Sequence, residues 1–191
     1  MLRGNTVGSL SEVQKQLILG CILGDGYMRK KVNAHLQITH SIKQKEYVLW
    51  KYSMLKNIVI TAPHEYRGNA GRVGYRFFTK SLPDITDFYN KFYQNGKKII
   101  PKDLTLSPLS LAVLYMDDGS KSRKTCYFNC QQFDTISQNN LVKSLSKLNI
   151  EARFHKDKTY KRIYIPFASI PLLIHTIKQY IVPTMRYKIP I

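Results

Sequence analysis

Two aspartates end two apolar runs in the same way. Ile18-Leu19-Gly20-Cys21-Ile22-Leu23-Gly24-Asp25-Gly26 stops at an acid followed by glycine, and Leu111-Ala112-Val113-Leu114-Tyr115-Met116-Asp117-Asp118-Gly119 does so again. Asp25 and Asp118 stand 93 positions apart (118 minus 25), and two lysines in matching contexts, Lys98 of Lys98-Ile99-Ile100-Pro101 and Lys188 of Lys188-Ile189-Pro190, stand 90 apart (188 minus 98). The helix dipole opposes an acid at a helix C-terminus, so capping alone explains the pair poorly. Two carboxylates held close repel one another unless a cation joins them. Hard oxygen donors suit Mg²⁺, whose shell is completed by water and phosphate oxygens. Such a site can activate water and stabilise the leaving oxygen in phosphodiester cleavage. A lysine near the cut phosphate would stabilise developing charge or orient the attacking water. Asp25 and Asp118 are therefore read as metal-binding catalytic acids, and Lys98 and Lys188 as catalytic cations. Lys97 is the rival of Lys98. Asp117, whose counterpart is Gly24, is read as peripheral.

The near-equal offsets imply a duplicated unit of about ninety residues. Gly20 and Gly24 are four apart and Ala112 sits on the matching helix, so the two helices can approach closely and bring their acidic ends together. Ser9 or Ser11 can cap the first helix and Ser107 or Ser110 the second, with Pro108 in its first turn. In the first half, two strands are expected over about 26–42 and a helix over about 45–56. Ile58-Val59-Ile60 and Gly74–Phe78 read as strands around a Gly-rich loop, followed by a helix over about 82–93. The second half repeats the order: strands near 121–132, a helix over 138–148, strands near 151–156 and 161–167, and a helix over 170–180. The fold class is α+β, two αββαββα repeats with one antiparallel sheet each, covering residues 1–96 and 97–191. Asn95-Gly96 is the turn signal at the join.

The chain has 191 residues, with thirty Lys and Arg against twelve Asp and Glu, giving a net charge of +18 and a pI near 9.9. Such an excess points to a polyanionic partner, because basic side chains displace counterions condensed on nucleic acid. Polar and basic residues at alternating strand positions suit base edges and phosphates. In the first half these are Arg29, Lys30, His35, Gln37, Thr39, Arg67, Arg72 and Arg76. In the second they are Lys121, Arg123, Lys124, Asn129, Lys156, Lys158, Lys161 and Arg162. No apolar run of about 18 residues suggests a membrane span, and the N-terminus carries no signal-peptide core. Cys21, Cys126 and Cys130 form no disulfide framework or zinc pattern and read as buried apolar residues in a reducing compartment. No nucleotide-binding loop, nucleophile elbow or HExxH motif is present.

These motifs resemble the LAGLIDADG homing endonucleases in their single-chain, two-repeat form. Cys21, Leu23 and Val113 differ from the literal signature. Leu23–Tyr27, Lys97–Pro101, Ser110–Ala112, Met116–Gly119 and Pro183–Pro190 are similar to the subgroup of the mitochondrial omega-intron endonuclease, over about residues 12–190. The resemblance implies a monomer whose two saddle-forming sheets straddle a long, barely symmetric DNA site. It implies Mg²⁺-dependent double-strand cleavage across the minor groove, leaving short 3′ overhangs, with Mn²⁺ as a substitute. It carries the metal ligands to Asp25 and Asp118, the active-site lysines to Lys98 and Lys188, and the organisation of active-site water to Gln37 and Gln131. The gene would lie in an intron or similar mobile element of a mitochondrion or other organelle, a bacterial cytoplasm being the other setting. The alternative is an intron maturase on the same fold, binding intron RNA without cutting.

Overall fold

A computed structural model describes residues 9–68, 71–157 and 159–190, so Lys158 lies outside the described residues. The first half runs α1 (Glu12–Leu23), β1 (Tyr27–Lys30), β2 (Ala34–Ser41), α2 (Lys45–Leu55), β3 (His64–Arg67), β4 (Val73–Phe78) and α3 (Pro83–Phe92). A short hairpin follows, β5 (Tyr93–Gln94) and β6 (Lys97–Lys98), turned by Asn95 and Gly96 at φ 50° and 74°. The second half runs α4 (Pro108–Asp118), β7 (Gly119–Ser122), β8 (Thr125–Phe128), α5 (Thr135–Ser146), β9 (Arg153–Asp157), β10 (Tyr160–Ile165) and α6 (Ile170–Ile177). The αββαββα order therefore appears twice.

The central helices begin alike. Ser11 closes a capping box with Gln14 and Ser107 closes one with Ser110, while Pro108 fills the first turn of α4. From Leu17 of α1 and Leu109 of α4 onward both are apolar nearly all round, as helical segments enclosed by protein on every side must be. Leu17, Ile18, Ile22 and Leu23 of α1 and Leu111 to Tyr115 of α4 are buried, and the two helices pack against each other. Gly20 sets their spacing: a Cβ there would lie 2.6 Å from Val113 Cβ and 2.7 Å from the Ser110 carbonyl. Gly20→Ala is therefore expected to cost about 1–3 kcal/mol through overpacking. At ~2–4 °C per kcal/mol for a chain of this size, thermal melting should show it.

The two antiparallel sheets share one strand order, β1-β2-β4-β3 and β7-β8-β10-β9. In β2, Ala34, Leu36, Ile38 and His40 are buried and His35, Gln37 and Thr39 face outward. In β8, Cys126 and Phe128 are buried and Thr125 and Tyr127 face outward. Each sheet thus has one face on the helices and one open. Cys21, Cys126 and Cys130 are free and buried, and burial pushes the Cys21 thiol up to about 12, leaving it unreactive.

Ile58-Val59-Ile60 is not a strand. Residues 56–58 form a 3₁₀ turn, Val59 makes a single bridge to Thr79, and Ile60 is exposed. The outer strand is His64–Arg67, whose pairing to β4 outweighs the β propensity of the apolar triplet. Helix α5 starts at Thr135, ahead of the expected Gln138, because the Asp134 carboxylate accepts the Ser137 N–H at 2.7 Å and caps it there.

Candidate active site

Asp25 follows the end of α1 and Asp118 is the last residue of α4. The Gln132 side chain ties the two ends together, its Nε2 donating to Asp118 Oδ2 at 3.1 Å and to the Leu23 carbonyl at 3.5 Å. Asp25 keeps 49% of its side chain exposed and Asp118 is half-buried. Burial, then the charges of Asp25 and Asp117, push the Asp118 carboxyl up to about 7. Burial and then Asp117 raise Asp25 above the usual carboxylate range. Two partly desolvated acids that resist joint ionisation fit a divalent cation far better than they fit each other.

Each acid has a lysine behind it. Lys98 on β6 donates to the Gly24 carbonyl at 2.7 Å. Lys188 donates to the carbonyls of Met116 at 2.6 Å and Asp117 at 2.7 Å. Both lysines thus bind the peptide oxygen immediately before an acid, Lys98 before Asp25 and Lys188 before Asp118. Burial pulls both ammonium groups below their ordinary range, and the three aspartates partly offset it. Lys97, by contrast, is exposed on the other side of the short strand. Lys188 sits near the chain end, yet the Tyr115 hydroxyl donates to its carbonyl at 2.8 Å and anchors the segment.

Asp117 is not peripheral. Its side chain is fully buried and accepts from the Tyr47 hydroxyl at 2.7 Å, from Lys51 Nζ at 2.8 and 3.1 Å, and from the Asp25 backbone N–H at 3.1 Å. Burial alone would raise this carboxyl, but Lys51 foremost holds it below the usual range. The same carboxylate more than offsets the burial of Lys51 and keeps its ammonium protonated. Lys51 Nζ also meets His40 Nε2 at 3.0 Å, and His40 Nδ1 lies 3.6 Å from Asp25 Oδ2. Burial and the Lys51 charge lower His40 to about 3, so its ring is neutral. Asp25, His40 and Asp117 bring one ligand atom each within 4.8 Å of one another, the spacing of a metal site. Lys51 already supplies the positive charge there.

No motif singles out Lys51, His40 or Gln132. The available signal was the position of Lys51 on the stripe that buries Tyr47, Val48 and Leu55 of α2. A cation among core positions needs a buried partner. Of the two amides expected to order active-site water, Gln37 donates to Thr39 at 3.2 Å on the open face of the first sheet. Gln131 is exposed, and the amide that reaches Asp118 belongs to its neighbour Gln132.

The remaining polar candidates divide by strand register. Arg29 stands beside His35, and Thr39 beside Arg76, on the open face of the first sheet. Arg162 is on the open face of the second, while Asn129 just past β8 donates to the Asp118 carbonyl at 2.9 Å. Arg76 stacks 4.3 Å from the Tyr66 ring and Arg162 4.3 Å from the Tyr127 ring. Arg67 and Arg72 are exposed beside the β3–β4 loop, and Arg123 and Lys124 make the exposed β7–β8 turn. Lys121 pairs with buried Cys126, and Lys156 with Lys161 two residues from buried Ile163, so these three stand on the helix side of their sheet. Lys30 is likewise in register with buried Ala34 and donates to Asn90 of α3 at 2.8 Å. No helix among the described residues is long and apolar enough to cross a membrane.

Comparison with known proteins fits this geometry. The model of the LAGLIDADG DNA endonuclease family matches residues 15–173. A probable intron-encoded endonuclease of Wickerhamomyces canadensis is 31% identical, over 95% of this chain and 85% of its own. The cytochrome b mRNA maturase bI2 of Debaryomyces hansenii is 28% identical, over 94% of this chain and 74% of its own. Among solved structures, the homing endonuclease I-WcaI bound to its DNA recognition sequence superposes with a TM-score of 0.86 at 28% identity, over 95% of this chain and 88% of that one.

Proposed function

Because the chain belongs to the LAGLIDADG DNA endonuclease family, we propose that it is a site-specific endonuclease that cuts both strands of a long duplex site, with Asp25 and Asp118 holding divalent cation at the scissile phosphates. One observation carries this reading: two mutually repelling carboxylates stand at the ends of the paired helices α1 and α4, each with a lysine bound to the peptide oxygen before it. The bound cation would activate water and stabilise the leaving oxygen. Lys98 and Lys188 fix the peptide before each acid and set positive charge beside the developing oxyanion. Gln132 orients the Asp118 carboxylate. The open sheet faces, with Arg29, His35, Gln37, Thr39, Arg76 and Arg162, contact bases and phosphates, and the loop and turn cations Arg67, Arg72, Arg123 and Lys124 hold the flanking backbone. Mg²⁺ is the working ion and Mn²⁺ its substitute. Repeat 1–96 supplies Asp25, and repeat 97–191 supplies Asp118 and both lysines, so one chain holds the whole site and a monomer suffices. The endonuclease relative of Wickerhamomyces canadensis, called intron-encoded, supports a mobile intron of an organelle genome as the source.

The likeness to the Debaryomyces hansenii maturase favours one second reading, an RNA-binding splicing factor on the same fold. A randomised duplex library separates the two. Cleaved molecules in Mg²⁺, with none in Ca²⁺, support the endonuclease. Tight intron RNA binding with no cleaved duplex in either ion would replace it with the maturase.

The raised Asp118 carboxyl makes a second prediction. Its folded-state value of about 7 lies above the ordinary carboxylate value, so its protonation favours folding at acid pH. That contribution is lost as pH rises through about 7, where the ionised pair becomes available to metal. Mg²⁺ should therefore raise the melting temperature at pH 8 and do little at pH 5.5. The pH dependence should shrink in Asp118→Asn. Equal Mg²⁺ stabilisation at both pH values would count against a metal held by this carboxyl.

A further inference from the structure

The two acids sit in similar places but are held by different means. Asp25 lies beyond the last turn of α1, and its backbone N–H is taken by Asp117 at 3.1 Å. Asp118 is the final residue of α4, and its carboxylate accepts from the exposed amide of Gln132. The counterpart of Asp117 in the first half is Gly24, which has no side chain to reach back. Glycine is required there: a Cβ would lie 2.5 Å from Asp117 Cβ and 2.6 Å from its Oδ2. Asp117 thus occupies space that exact repetition would have filled from both sides. Lys51 and Tyr47 come from the first half and Asp117 from the second, so the network also crosses the interface between halves.

We propose that Asp117, Lys51 and His40 form a one-sided positioning network for Asp25, so that the two strands are cut by inequivalent centres. This rests on the endonuclease reading. Asp117 fixes the main chain of Asp25, and His40, braced by Lys51, packs its ring 3.6 Å from the Asp25 carboxylate. The Asp118 main chain is held by Asn129, whose N–H and side-chain amide both donate to its carbonyl at 2.9 Å. No buried charged pair stands behind the Asp118 carboxylate among the described residues, where the solvent-exposed Gln132 serves instead. A buried, fully bonded support keeps its geometry through substrate binding, whereas an exposed amide is free to exchange with water. The strand assigned to Asp25 is therefore cut with its ligand pre-set, and the other strand with a ligand that must be ordered.

The test is strand-resolved nicking on a duplex recovered from the library and labelled at either 5′ end. The double variant Lys51→Met/Asp117→Leu removes both buried charges at once, and such apolar replacement of a buried pair is often neutral for folding. Tyr47 keeps the Val113 carbonyl as a partner at 3.3 Å, while Asp25 loses the acceptor for its N–H. The ratio of the two nicking rates should shift by about tenfold or more, the usual effect of losing outer support to a metal ligand. Duplex affinity in Ca²⁺ should hold. Gln132→Ala, at an exposed site, should shift the ratio the opposite way. If the double variant fails to fold, His40→Gln should move the ratio in its direction by a smaller factor. A ratio unchanged in the folded network variant and in Gln132→Ala overturns the inference. Full cleavage by Asp25→Asn and Asp118→Asn would instead overturn the endonuclease reading itself.

Discussion

Asp118→Asn, and equally Asp25→Asn, should lower double-strand cleavage by about three orders of magnitude, the ~4 kcal/mol lost when a preorganised charge contact is removed at the transition state. Asparagine keeps the size of the side chain and one oxygen but not the charge. With one carboxylate neutral, the remaining acid still attracts cation but no longer shares it against a second anion. Binding should respond quite differently. The duplex is held mainly through phosphates by a chain carrying +18, and removing one negative charge adds to that attraction. Affinity measured by gel shift in Ca²⁺ should therefore stay within about threefold of the parent, with its steep salt dependence intact. Parent-like cleavage in either variant would remove the two-acid centre.

Why the acids were legible and their support was not is a matter of which constraints repeat. Asp25 and Asp118 stand out because each interrupts an apolar run with an acid that the helix dipole disfavours, twice, at nearly the spacing of the two lysines. Repetition pointed to the helix pair, the doubled strand order and Lys98, which meets the Gly24 carbonyl while Lys97 is exposed. The same reasoning misjudged Asp117, because Gly24 opposite it was read as a missing partner. Physically the glycine is the partner, since its absent side chain makes the room that the carboxylate fills. Lys51 was hidden for another reason. A basic residue in a basic chain draws no notice until the helix stripe is known to be enclosed on all sides. Strand register explains the rest. Alternation placed His35, Gln37 and Thr39 correctly because β2 is long. Lys121, Lys156 and Lys161 lie in shorter strands, where the phase relative to Cys126 and Ile163 decides the face.

Lys51→Met alone should be the most damaging substitution to stability outside the apolar core. It leaves the Asp117 carboxylate buried with only the Tyr47 hydroxyl and the Asp25 N–H as donors. Breaking a buried pair from one side costs about 3–5 kcal/mol. At ~2–4 °C per kcal/mol, melting should fall by about 6–20 °C near pH 8. Lys51→Met/Asp117→Leu should recover most of that loss, so the two substitutions are strongly non-additive. The pH dependence supplies an independent check. In the parent, Asp117 is held below the usual carboxylate range, so its contribution is present above the unfolded value and fades only in strong acid. Without Lys51, burial dominates and the carboxyl rises above the unfolded value, which reverses the sign. The deficit of the single variant is then largest at pH 8 and narrows as acid protonates Asp117. Melting curves for the parent and both variants at pH 5 and pH 8 test this directly. A deficit that is the same at both pH values would mean that the damage comes from lost packing around the lysine stem, and that Asp117 does not depend on Lys51 for its charge.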